Sequence, residues 1–191
     1  HAGTFFWKSK DITMTSLDIH FLHGFGMVGQ HSENITMDDV DFEAPKESGR
    51  TTAGYADFVQ MSGCKGTINI SNCTFAGPHD DPINIHGTFN TVTAISSDRR
   101  TITVQYNHNE TAGFPNFFEG DEIEFMTKGN MITVEDSVRT VTKVDGPDGM
   151  GGNMGDGSGS LTTIKLTLNE AVPSDVQVNQ HVVEKSGRAS C

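Results

Sequence analysis

Two aspartates stand side by side in GPHDDPINIHG, residues 77–87, just before a short alternating apolar segment. Adjacent carboxylates repel. Asp80 and Asp81 therefore belong either in a solvated turn or where a proton or cation offsets the repulsion. A third aspartate bears on the choice. The segment DFVQM (57–61) aligns with DPINI (81–85), and neighbouring strands lie about 4.8 Å apart. Val59 then falls beside Ile83 and Met61 beside Ile85, both facing inward. Asp57 falls beside Asp81 with Asp80 adjoining, so the three carboxylates are expected on one outer face, with Gln60, Asn84 and His86 facing outward around the same patch.

Three gathered carboxylates admit two kinds of chemistry. In the first, two of them hold and deprotonate a water while the third donates a proton. Inverting glycoside hydrolysis needs this, with acid and base roughly 6.5–9.5 Å apart. In the second, the cluster binds Ca²⁺ and serves a polysaccharide lyase. A lyase also needs a basic group for the α-proton, and neither strand contains Lys or Arg; Arg50, Lys65 and Arg99 are the nearest. The hydrolase reading is the stronger, and no metal or other cofactor is expected. His20 and His23 would point to opposite faces of a strand and make a poor metal pair. Trp7 and the Phe5–Phe6 pair read as core or interface, with Trp7 also a candidate sugar platform.

The elements that must position these groups show as three segments that align without gaps: DITMTSLDI (11–19), NITMDDVDF (34–42) and TINISNCTF (67–75). Each is apolar at its second, fourth, seventh and ninth positions. Alternation with a slip between the pairs predicts short strands separated by a bend. Further short strands are expected at GMVGQ (26–30), DFVQM and PINIH (82–86), and the polar stretch EAPKESGRTTAG (43–54) absorbs the longer second spacing. Units of this length cannot bury their faces alone and must stack. The spacing predicts coils of a right-handed parallel β-helix, in which Cys73 takes the place of Val40 one coil on as a buried thiol. A leucine-rich repeat lacks the required spacing.

From residue 88 the pattern changes to longer alternating segments: NTVTAIS, RTITVQYN, GDEIEFMT, NMITVED, VRTVTKVD, LTTIKLTL and VQVNQHVVE, with turns such as SSDRR. These predict an antiparallel barrel. The Gly/Asp-rich stretch 146–160 reads as a loop without the spacing of a calcium repeat. The expected organisation is β-helix coils over 1–88, an inserted small antiparallel β-barrel over 89–184, and a tail over 185–191 left by truncation or cloning. The start, HAGTFFWKSK, has neither an initiator Met nor an apolar signal segment, and reads as the interior of a longer polypeptide.

A net charge of −12 with no Lys/Arg cluster argues against nucleic acid and anionic membranes as partners. No apolar run approaches 18 residues. Cys64, Cys73 and Cys191 are too few for a disulfide framework.

GTFFWKSKDITM, SENITMDDVDF, DFVQMSGCKGTINISNCTF and HDDPINIHGT together resemble glycoside hydrolase family 110, over roughly residues 3–90. The resemblance implies exo-acting α-1,3-galactosidase activity, an inverting mechanism with three aspartates, and a parallel β-helix with inserted small β-barrels. It makes Asp80 the general acid and Asp57 and Asp81 the pair that positions water, as in polygalacturonase-type β-helix hydrolases. Asn84, His86 and Gln60 are candidates for hydroxyl contacts with a carbohydrate substrate. From the substrate class, a secreted or periplasmic location is expected. The family's enzymes are far longer than this chain. A polygalacturonase-type β-helix hydrolase, a calcium-dependent lyase and a non-catalytic carbohydrate-binding solenoid stay open as alternatives, as does the oligomeric state.

Overall fold

The structure, a computed structural model, describes residues 2–108, 111, 115–146 and 163–187. It is all-β and divides into two compact units, the first ending at Gly87 and resuming at Gly187, the second spanning Thr88–Ser186.

The first unit contains β1 (Ala2–Trp7), β2 (Lys10–Ile19), β3 (Phe25–Gln30), β4 (Glu33–Phe42), β5 (Val59–Ser62), β6 (Lys65–Ser71), β7 (Thr74–Phe75) and β8 (Ile83–His86). Strands β1, β3, β5 and β8 form one sheet in that order; β2, β4 and β6 form a second, with β7 also on β4. Every pairing in both sheets is parallel. Equivalent residues therefore lie in rows. Ile12, Ile35 and Ile68 form one, Met14, Met37 and Ile70 the next, and Ile19, Phe42 and Phe75 a third. Their side chains meet those of Met27, Phe58, Val59 and Met61 in a single core. Phe42 stacks on Phe58 at 5.1 Å and on Phe75 at 5.5 Å between ring centroids.

Left-handed backbone at matched positions makes the tight corners between the sheets. Lys8 and Asp11, His31 and Asn34, and Gly63 and Gly66 all have positive φ, three residues apart each time. Asn34 Nδ2 donates to Asp11 Oδ1 at 2.8 Å, bonding one corner to the next. At the third corner only glycine fits: Gly66 has φ +72°, and a Cβ there would sit 2.3 Å from Asn34 Oδ1. The bend expected between the apolar pairs lies at Ser16, Asp39 and Asn72, again with positive φ.

AGTFFW forms β1, a segment to which the sequence pattern assigns no strand. Several expectations are corrected. Cys73 is only half-buried, because among the described residues β6 and β7 end their sheet; Cys64 is the buried thiol. Ile83, expected to face inward like Val59, is 39% exposed for the same reason on β8. In the second unit, NMITVED is not a strand: Gly129 and Met131 have positive φ, leaving only an isolated bridge from Thr133 to Met126. The Gly/Asp-rich loop lies outside the described residues beyond Gly146.

The second unit is a closed antiparallel barrel of β9 (Asn90–Ile95), β10 (Thr101–Tyr106), β11 (Glu122–Thr127), β12 (Arg139–Asp145), β13 (Thr163–Leu168) and β14 (His181–Lys185). Its order is β10-β13-β12-β11-β14-β9, closed by the β9–β10 pair. Val176–Gln180, read from sequence as the start of the last strand, is instead a turn that precedes β14. Alternation along β10 and β13 sends Ile102, Val104, Tyr106, Ile164 and Leu166 into the interior. In the Ser96–Arg99 turn, the Ser96 hydroxyl donates to Asp98 and holds its carboxyl below the usual range. The Arg99 guanidinium donates to the carbonyls of Val172, Pro173 and Val176, tying this turn to the segment before β14.

Burial raises the Tyr106 phenol well above its ordinary value. Because the folded state keeps the proton and the unfolded chain releases it above about pH 10, stability falls as pH rises past that point. Denaturation midpoints measured between pH 9 and 11 are expected to drop steeply for the native protein. The slope should flatten for Tyr106→Phe.

Candidate active site

The aspartates sit where the chain enters the sheet of β5 and β8. That register pairs Val59 with Ile83, Gln60 with Asn84, Met61 with Ile85 and Ser62 with His86. Backbone bonds carry it further back, with Phe58 N donating to the Asp81 carbonyl at 3.1 Å and Val59 N to the Pro82 carbonyl at 3.2 Å. Asp57 thus stands level with Asp81.

The three carboxylates have different surroundings. Asp57 is not on the outer face as expected: it shares the alternation of the buried Val59 and Met61, is 5% exposed, and its Oδ2 accepts from Asn84 Nδ2 at 3.0 Å. A carboxylate this buried needs such a donor, because burial without a hydrogen bond costs several kcal/mol, of the order given for charged groups. Its own carbonyl accepts from Gly26 N at 2.9 Å, fixing it from the preceding strand as well. Gly26 packs so closely that a Cβ there would lie 2.2 Å from the Phe58 carbonyl oxygen. Any side chain at that position would push on the backbone that carries Asp57.

Asp80 and Asp81 are exposed, and Asp80 Oδ1 accepts from Asp81 N at 3.1 Å. That bond uses one oxygen of Asp80 to shape the turn and leaves the other toward solvent. Of the outward residues, Asn84 is committed to Asp57 through its amide nitrogen, and its oxygen stays available as an acceptor. The His86 Nδ1 lies 3.0 Å from the Gly87 carbonyl; an Nδ1–H donating there leaves Nε2 as an acceptor. Gln60 is half-buried beside Asn84. Among the described residues no three His, Cys, Asp or Glu side chains are placed to hold a metal ion, the three aspartates included.

Trp7 stands elsewhere, at the far end of β1, with Lys8 Nζ 5.9 Å from its ring; β3 and β5 separate β1 from β8. His20 Nδ1 lies 2.7 Å from the Glu43 carbonyl.

Sequence reasoning passed over two residues beside the aspartates. Tyr55 is 73% exposed, and its ring meets that of His79 edge-to-face at 6.0 Å. The signal was present. Tyr55 and His79 are 24 residues apart, the same offset as Asp57 and Asp81 and as Val59 and Ile83.

Residues 101–147, from β10 through β12, match the family described as GLAA-B beta-barrel domain II. Alpha-1,3-galactosidase A of Streptomyces avermitilis is 49% identical over 182 residues, 95% of this chain and 28% of that protein. Its namesake in Peterkaempfera griseoplana is 46% identical over 91% of the chain and 24% of its own length. That of Bacteroides fragilis (strain YCH46) is 34% identical over 96% of the chain and 28% of its own length. With barrel and aspartate-bearing sheets both inside the matched span, the chain belongs to the α-1,3-galactosidase family, glycoside hydrolase family 110, and spans about a quarter of the length of these relatives.

Proposed function

We propose that the protein carrying this segment is an inverting exo-α-1,3-galactosidase that removes terminal α-linked galactose from glycans, and that Asp57, Asp80 and Asp81 are its catalytic residues. The observation that carries the reading is the placement of a buried, Asn84-bonded Asp57 level with Asp81 and one residue from Asp80. Asp57 is buried and hydrogen-bonded while Asp80 and Asp81 are exposed, so the group contains carboxylates in two different environments.

In this reading the Asp80 carboxyl gives its proton to the glycosidic oxygen as the C1–O bond breaks. Water attacks C1 from the opposite face and loses a proton to the Asp57 and Asp81 carboxylates. The products are the freed glycan hydroxyl and β-galactose. Asn84, His86 and Gln60 supply hydroxyl contacts. No cofactor takes part.

The two sheets are read as coils of a right-handed parallel β-helix. The support is that successive strands alternate between two all-parallel sheets. The barrel is read as an insertion, over about 89–184, between such coils. Its first and last strands pair, Val182 with Thr91 and Val183 with Asn90, so the chain enters and leaves at neighbouring points. The substrate class places the enzyme outside the cytoplasm, secreted or periplasmic, with no nucleic-acid or membrane partner.

The test is proton NMR of the first sugar released by the full-length enzyme from an α-1,3-galactoside. β-Galactose is expected to form first and then mutarotate. Initial α-galactose would overturn the inverting mechanism, and no release at all would overturn the activity.

A further inference from the structure

Rings flank the aspartates, and none has a role in the proposed reaction. Tyr55 lies two residues before Asp57, and His79 lies directly before Asp80. Both lie in bends ahead of the β5–β8 ladder, at the same 24-residue offset as Asp57 and Asp81, and their rings touch edge-to-face at 6.0 Å with 76° between planes. A T-shaped contact leaves one face of a ring uncovered, while the neighbour's edge limits its swing. Tyr55 is the most exposed of the large apolar and aromatic side chains among the described residues, at 73%. The sheet does not need it for packing. His79 is also exposed, as are Asp80 and Asp81, which follow it in the chain.

We infer that Tyr55, steadied by His79, is the platform on which the terminal galactosyl ring lies, a specificity-determining residue for this site. The chemistry is that of galactose itself. Its axial 4-hydroxyl gathers the hydroxyls on one side and leaves C3–H, C4–H and C5–H as an apolar patch on the other. A flat aromatic face covers that patch. A sugar with an equatorial 4-hydroxyl carries C4–H on the opposite face, so its patch on this side is smaller and the platform favours galactose over glucose. The carboxylates stand only one or two residues away along each segment, Asp57 after Tyr55 and Asp80 and Asp81 after His79. The inference rests on the galactosidase reading for its substrate and adds the element that recognises it.

The experiment uses the full-length enzyme and its Tyr55→Ala, Tyr55→Phe and His79→Ala variants, with an α-1,3-linked galactobioside as substrate. Saturation-transfer NMR with methyl α-galactoside on an Asp80→Asn background supplies a readout without turnover. An aromatic contact of about 0.5–1.5 kcal/mol corresponds to a roughly two- to tenfold change. Tyr55→Ala is expected to raise KM within that range with kcat little changed. Tyr55→Phe should stay near the native value, because the face is kept, and His79→Ala should fall between. Saturation should be strongest at H3, H4 and H5 and lost in Tyr55→Ala.

Unchanged KM and saturation in Tyr55→Ala, with hydrolysis intact, would overturn the platform and leave the galactosidase reading standing. Tyr55-dependent saturation without hydrolysis by the native enzyme would do the reverse. No binding and no hydrolysis by the native enzyme would overturn both.

Discussion

Replacing Asp80 with Asn in the full-length enzyme is expected to lower kcat on an α-1,3-linked galactoside by about 10²–10⁴-fold, the range for losing a general acid. The loss should depend on the leaving group. An aryl galactoside with an acidic phenol departs with little protonation, so Asp80→Asn should recover most of its rate there. Asp57→Asn should not recover, because activation of water is needed whatever the leaving group. Parallel kinetics on the two substrates therefore separate the roles. Equal losses for both variants on both substrates would remove Asp80 as the acid. Folding should be undisturbed at the exposed Asp80. At Asp57 the Asn84 amide can still bond an Asn side-chain oxygen, so a denaturation midpoint within a few degrees of the native one is expected.

Phe42→Ala is expected to cost about 3–5 kcal/mol, the usual range for truncating a fully buried aromatic. Phe42 is fully buried and stacked on both Phe58 and Phe75, so the cavity would open at the centre of the row that joins three segments of the chain. Its neighbours cannot collapse freely, because Phe58 is held through Met27 N, which donates to its carbonyl, and through Phe58 N on Asp81. Chemical denaturation should show the loss. Activity should fall too, since Phe58 follows Asp57 directly and a shift of its ring moves the carboxylate. Phe42→Leu, which fills much of the space, should cost less. A Phe42→Ala protein as stable as the native one would mean the rows relax independently.

Much of the arrangement was legible because parallel pairing places equivalent residues side by side. Ile12, Ile35 and Ile68 occupy equivalent places in the aligned segments and lie in one row of the sheet. The offset of 24 between Val59 and Ile83 was available from DFVQM and DPINI, and it carries Asp57 to Asp81. The barrel strands β9 to β13 likewise fall within the expected segments, and in β10 and β13 period-two alternation marks one buried face. Local chemistry read alone misled at NMITVED. Its β-branched and apolar residues favour a strand, but Met131 and Gly129 turn the backbone left-handed, and Ile132 is left 61% exposed. Exposure was also misjudged for Cys73 and Ile83, because burial depends on what stacks beyond a row and not on the residue's own face.

The sequence by itself determined which residues share a face and which positions recur, since alternation and spacing are local properties of the chain. It also placed the acidic pair before its strand. Only the tertiary structure decided that Asp57 is buried and bonded to Asn84 while Asp80 and Asp81 stay exposed, and that β9 closes the barrel between β10 and β14. Those outcomes depend on contacts between segments far apart in the chain. Burial and hydrogen-bond partners are properties of the assembled neighbours, and no period in the sequence encodes them.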